Sequence, residues 1–153
     1  MLLSRRNFLI TTMAVAAPLP AIAQSVPELN LSSSGLAVRG FDLVSYFTVG
    51  SPQKGREEFS HNHAGGTYWF TSEANKALFE SNPDQYLPAY GGYCAYGTAV
   101  NAKVDGDPNI WHIVDDQLYL NITRSVDWVW RRDPEGYIRK ANANWPKIKF
   151  DAV

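Results

Sequence analysis

Glu58-Phe59-Ser60-His61-Asn62-His63, then Ala64-Gly65-Gly66, then Thr67-Tyr68-Trp69-Phe70-Thr71, is the stretch on which the fold turns. Two β-prone runs flank a glycine pair, the signature of an antiparallel hairpin. Thr71 or Ser72 next offers a side-chain cap to a helix that runs to about Glu80. Ala74, Ala77 and Leu78 share one face of that helix at i, i+3 and i+4. Asn82-Pro83 ends it, because the residue before a proline is driven out of the helical region.

The pattern recurs toward the C-terminus. Asn109-Ile110-Trp111-His112-Ile113-Val114, Asp115-Asp116-Gln117 and Leu118-Tyr119-Leu120-Asn121 read as a second hairpin. Val126, Val129 and Trp130 mark an amphipathic helix that stops near Asp133-Pro134. A last helix begins at Pro134 or Glu135, where a proline suits the first turn. It buries Tyr137 or Ile138, Ala141 and Trp145, and closes at Pro146. Upstream of both hairpins, Gly40 to Phe47 is too short for a long helix and reads as a docked turn. The fold class is therefore α+β: a small single domain of short antiparallel hairpins packed against three or four helices.

The N-terminus reads as an address. Ser4-Arg5-Arg6-Asn7-Phe8-Leu9-Ile10 has the form of a twin-arginine export signal. An uncharged stretch follows to Ala21-Ile22-Ala23, the small-x-small pattern cut by signal peptidase. Pro18 and Pro20 break that stretch, which is too short to stay as a spanning helix. The expected organisation is a signal peptide at 1–23, a polar linker at 24–36 and one domain at 37–150. The expected location is the periplasm, with the twin-arginine translocase and signal peptidase as partners during export. No cysteine lies near the cleavage site and no later run approaches ~18 apolar residues, so no membrane anchoring is expected after cleavage.

Charge and composition narrow the partners. The chain carries 14 basic and 15 acidic side chains, and beyond the signal no basic run is longer than a pair, as at Arg131-Arg132. That argues against nucleic acid. All five Trp and all eight Tyr follow the signal, so large rings build the core. Both methionines, Met1 and Met13, lie within the signal, which removes thioether ligands for copper.

A single cysteine remains, Cys94, within Tyr90-Gly91-Gly92-Tyr93-Cys94-Ala95-Tyr96-Gly97. In an oxidising compartment a lone thiol is buried, metal-bound, paired between chains or chemically active. Gly91 and Gly92 allow left-handed backbone and close approach of another group. N–H groups in such a loop can form an anion-binding nest that lowers a thiol pKa, and Tyr93 and Tyr96 can line a small pocket. The plainer reading is a thiol buried in a tight aromatic turn. His61 and His63 stand two apart on a strand, so they emerge on one face and can share a metal ion, or simply be solvated. His112 falls on the strand face opposite Trp111 and Ile113. No Cys-x-x-Cys, His-Glu-x-x-His or Gly-x-Gly-x-x-Gly motif occurs.

Several landmarks together resemble a known family. Gly40 to Phe47, Phe59-Ser60-His61 with Gly66-Thr67-Tyr68-Trp69-Phe70, and Phe79 with Pro83-Asp84-Gln85-Tyr86-Leu87-Pro88 are three of them. Gly91-Gly92-Tyr93-Cys94-Ala95-Tyr96, Asp107-Pro108 with Trp111, Leu118 to Asn121, and Ala143-Asn144-Trp145-Pro146 complete the set. Over residues 35–148 the chain resembles the exported YHS-domain proteins of bacteria. The wider family is associated with metals, and many members carry cysteines where this chain has Ser45, Thr71 and Asn75; Leu43 replaces the usual proline. Some exported members have selenocysteine at the position of Cys94, which the resemblance therefore makes the leading functional residue.

Three expectations follow. In the first, a copper or zinc ion is bound at Cys94, with His61, His63 or His112 as partner ligands. In the second, Cys94 is the lone reactive cysteine of a redox enzyme that takes a small thiol or peroxide, with Gly91, Gly92, Tyr93 and Tyr96 forming the surrounding loop. In the third, the domain is structural or interacting and the thiol is inert.

Overall fold

The computed structural model describes residues 28–153. The expected signal peptide and the start of the expected linker lie outside the described residues. The α+β class is found: among the described residues two antiparallel hairpins, each a separate two-stranded sheet, lie among six α-helices.

The first hairpin joins β1 (Arg56–His63) to β2 (Gly66–Phe70). Its turn places Ala64 at φ +47° and Gly65 at φ +88°, the left-handed pair that matches the twist of two-residue hairpins. The second joins β3 (Asp107–Val114) to β4 (Gln117–Asn121) around Asp115 and Asp116. Both aspartates are left-handed, at φ +50° and +59°, a conformation short polar side chains tolerate. A register shift interrupts each hairpin, between Arg56 and Ser60 and between Asp107 and Trp111.

Gly40–Phe47 holds more structure than a docked turn. Asp42 caps a helix, α1 (Leu43–Thr48), by accepting the Val44 N–H at 2.9 Å on Oδ1. Its other carboxylate oxygen accepts Thr71 N at 2.9 Å, Thr71 Oγ1 at 2.8 Å and Asn75 Nδ2 at 2.7 Å. One buried side chain thus ties α1 to the end of β2 and to α2 (Glu73–Ser81). Ser72 caps α2 as expected.

The buried face of α2 differs from the expected one. Ala74, Ala77 and Leu78 are exposed, whereas Phe79 is completely buried. The reason is the Asp42 anchor: once Asn75 is held inward, the residue one turn on, Phe79, must follow it. Pro83 both ends α2 and opens a single turn, α3 (Pro83–Tyr86).

Pro146 does not close the last helix either. Of the two C-terminal helices, α5 (Arg124–Trp130) is capped by Thr123 and α6 (Pro134–Ile148) by Asp133. The second continues past Pro146 because Lys149 N donates to Trp145 O at 2.9 Å and Ile148 is buried.

Residues 28–36, expected as linker, are docked on the domain. Thr67 N donates to Gly35 O at 2.9 Å, Asn30 N to Gly91 O at 2.9 Å, and Glu28 pairs with Lys149.

β4 separates two cores by simple alternation. Leu118 and Leu120 face the first, with Leu43, Val44, Tyr46, Phe70 and Phe79. Tyr119 faces the second, with Tyr90, Ala95, Trp130 and Ala141. The segment from Pro88 to Cys94 runs beside β4 through parallel bridges, Pro88 to Leu118 and Cys94 to Leu120. This placement carries Cys94 to the boundary of the two cores.

Candidate functional site

Three consecutive left-handed residues deliver the cysteine. Tyr90 has φ +54°, Gly91 +61° and Gly92 +87°. Tyr90 holds this unfavourable conformation with its hydroxyl, which donates to Asn142 Oδ1 at 2.8 Å. A Cβ on Gly91 would collide with the Glu28 carbonyl, so the docked N-terminal segment needs glycine there.

After this turn Cys94 N donates to Val104 O at 2.9 Å, and its side chain caps a further helix, α4 (Ala95–Ala99). Gly97 N donates to the sulfur at 3.3 Å. The thiol is completely buried. Burial pushes it up from the ordinary cysteine range. The backbone N–H groups of Gly97, Ile122 and Tyr96 pull the other way, and the Asp127 carboxylate pushes it up further.

A line of polar side chains starts at the sulfur. Asn121 Oδ1 lies 3.6 Å from Cys94 Sγ and accepts the Tyr96 N–H at 3.1 Å. Asn121 Nδ2 donates to Asp127 Oδ1 at 3.1 Å. The same carboxylate oxygen is 2.8 Å from His112 Nε2, and Arg131 Nε meets Asp127 Oδ2 at 3.3 Å. His112 stacks on Trp130, ring centroids 5.4 Å apart, and reaches the surface with about a third of its side chain exposed, 31%. Asn121 is fully buried, so its two polar ends are both satisfied inside the protein.

The loop residues expected around the sulfur divide. Tyr96 contributes its N–H to the site through Asn121, while its half-buried ring packs against Tyr137 at 5.1 Å. Tyr93 is committed to the N-terminal segment: its hydroxyl donates to Leu29 O at 3.4 Å and Lys103 Nζ sits 4.6 Å over its ring. Gly91 and Gly92 likewise serve that segment, their carbonyls accepting Asn30 N and Asn30 Nδ2.

The histidines divide as well. His61 and His63 share one face of β1, as their spacing requires, and there both rings cover Phe79, at 6.0 and 5.7 Å. His61 Nδ1 is 3.0 Å from Glu80 Oε1. His112 is the histidine joined to the cysteine, through Asn121 and Asp127. Among the described residues no three of the His, Cys, Asp and Glu side chains gather where one cation could be held. A closed zinc site takes four such ligands.

Asn121 and Asp127 are the members of the site that sequence reasoning missed. Asn121 had a signal, a polar residue ending the apolar strand Leu118-Tyr119-Leu120. Asp127 had a weaker one, lying three residues before buried Trp130 on the inward face of α5. Compared with known proteins, the chain matches no family model, no curated protein and no solved structure.

Proposed function

We propose that the protein is an exported, periplasmic thiol-dependent oxidoreductase working through Cys94 Sγ, the residue that its resemblance to exported YHS-domain proteins brings forward. The observation that carries this reading is the polar chain from Cys94 through Asn121 and Asp127 to His112. An inert core cysteine packs as a small hydrophobe among apolar atoms. Here the sulfur instead lies among the backbone N–H groups of Gly97, Ile122 and Tyr96, donors of the kind that hold a thiolate when one forms.

The chemistry needs two named co-reactants, a peroxide and a small thiol. The Cys94 thiolate attacks one peroxide oxygen; the S–O bond forms, the O–O bond breaks, and the leaving alkoxide or hydroxide takes up a proton. A first external thiol displaces water from the sulfenic acid and leaves a mixed disulfide. A second attacks that disulfide and releases Cys94 as a thiol. One peroxide is reduced to alcohol or water and two thiols are joined, with no second cysteine required from the chain. The resting thiol is protonated and shielded, which protects it from over-oxidation.

Peroxide consumption by the reduced, signal-cleaved protein with a small thiol tests this directly. Turnover and a trapped sulfenic acid at Cys94, both abolished in Cys94→Ser, are the expected result. A reduced native protein that does not react with peroxide overturns the reading.

Copper or zinc binding at Cys94 is the second reading; its support is the resemblance to metal-associated YHS-domain proteins, while Asn121 and Asp127 stand between the thiol and His112. Ser45, Thr71 and Asn75, the positions of cysteines in metal-associated relatives, lie about the Asp42 anchor: Thr71 and Asn75 donate to its carboxylate, Ser45 Oγ to its backbone carbonyl. They supply no thiolate. Elemental analysis of the exported protein beside Cys94→Ser tests this reading: near-stoichiometric metal lost in the variant supports it, and no metal in either removes it.

A further inference from the structure

The orientation of one buried amide decides what the sulfur faces. Asn121 has an oxygen and an NH2 group at nearly the same distance from its backbone, and turning the amide exchanges them. Turned one way, the oxygen meets Cys94 and can accept the thiol proton. Turned the other way, the NH2 group meets the sulfur and favours its anion.

Two neighbours select the first orientation. Tyr96 N–H points at the near atom from 3.1 Å and requires an acceptor there. Asp127 Oδ1 stands 3.1 Å from the far atom and requires a donor. A reversed amide would set N–H against N–H at one end and oxygen against carboxylate at the other. Asp127 is itself pinned, by His112 on β3 and by Arg131, one turn on at the C-terminal cap of α5. The amide is therefore clamped from outside the cysteine loop.

We propose that Asp127 is a positioning residue which, by holding the Asn121 oxygen toward Cys94, keeps the thiol in its unreactive resting form. The inference deepens the oxidoreductase reading and rests on it for its biological meaning. The electrostatic field acts in the same direction: the Asp127 charge disfavours a second negative charge on the sulfur. Without Asp127 the Tyr96 N–H alone selects the orientation, so the amide turns more readily, and the Gly97 and Ile122 N–H groups are already in place for the thiolate.

The expected behaviour is a gain of reactivity on removing a side chain that never touches the reagent. In Asp127→Ala the amide loses its fixing acceptor. In Asp127→Asn the charge is removed while a side-chain oxygen can still accept from Asn121. The experiment measures iodoacetamide alkylation of Cys94 in the full protein and both variants at one neutral pH, alongside amide hydrogen exchange of Tyr96 and Gly97. Alkylation about tenfold faster in Asp127→Ala is expected, the change in thiolate fraction given by one pK unit. Asp127→Asn falls between that variant and the parent, with amide protection retained in both. Unchanged or slower alkylation in Asp127→Ala overturns the proposal. So does a gain accompanied by lost protection, which is simple opening, and so does an equal gain in both variants, which is charge without orientation. Because this reaction uses no peroxide, a protein inert to peroxide sinks the oxidoreductase reading and leaves the clamp to be judged separately.

Discussion

Gly97 gives its backbone N–H to the Cys94 sulfur at 3.3 Å, so a thiol takes the capping role at α4 that a hydroxyl or carboxylate usually fills. The same atom that would do chemistry also holds its own helix start in place. Asn144 secures the other end of α4, donating to the Thr98 and Ala99 carbonyls at 3.1 Å each. The short helix is thus fixed at both termini by groups outside its own backbone.

Replacing the sulfur should separate the two roles. Cys94→Ser keeps an acceptor at the cap and is expected to lose the thiol chemistry with little change in stability. Cys94→Ala removes the cap and leaves a small void, at a cost of about 1–2 kcal/mol. Urea unfolding of both variants beside the parent checks this; equal stability of the alanine variant would mean that the sulfur cap contributes nothing.

The α2 helix should tolerate change on the face that its sequence pattern marks as inner. Phe79 is fully buried against Tyr68 and Phe70, at ring centroid distances of 5.1 Å each. Phe79→Ala is expected to cost about 3–5 kcal/mol, while exposed Leu78→Ala costs under about 1 kcal/mol. Thermal or denaturant melts of the pair decide which face is inward.

Asp42→Ala should be among the most damaging single changes. It strands donors from Val44 N, Thr71 N, Thr71 Oγ1 and Asn75 Nδ2, which all end on this one carboxylate. Leaving several buried donors unpaired predicts a loss of about 3 kcal/mol or more. Asn75→Ala, which removes one donor and leaves the carboxylate the others, should lose clearly less in the same unfolding assay.

Alkaline solution should unfold the protein through its tyrosines. Burial pushes Tyr68 up to about 12, and burial first, with neighbouring charges after it, pushes Tyr46 up as well. The Tyr46 hydroxyl donates to Pro108 O at 2.8 Å, a bond the phenolate cannot make. Between the ordinary tyrosine range near ~10 and the raised native values, the unfolded chain has lost these protons while the folded one keeps them. Stability is therefore full below about pH 10 and falls as pH rises toward 12, on the order of 2 kcal/mol for Tyr68 alone. Melting temperatures followed from pH 8 upward should be level at first and then drop, and a flat profile to pH 12 would contradict the assignment.

Local chemistry alone determined the two hairpins, three of the helices and the suspicion resting on Cys94. A glycine turn between β-prone runs, the Ser72 cap and the first-turn Pro134 act over a few residues, and such signals can be read in order along the chain. The short helices α1, α3 and α4 could not be read that way, being too brief to show a hydrophobic period. The inward face of α2 was hidden for a different reason: it is chosen by Asp42, thirty-three residues before Asn75. Pro146 misled because burial of Ile148 outweighs one missing N–H. What only the tertiary structure decided is the company Cys94 keeps. Asn121, Asp127 and His112 come from β4, α5 and β3, and they meet because alternation on β4 turns Asn121 toward the cysteine while Leu120 enters the other core. Hydrogen bonds between elements depend on orientation in space, and no spacing along the chain records that.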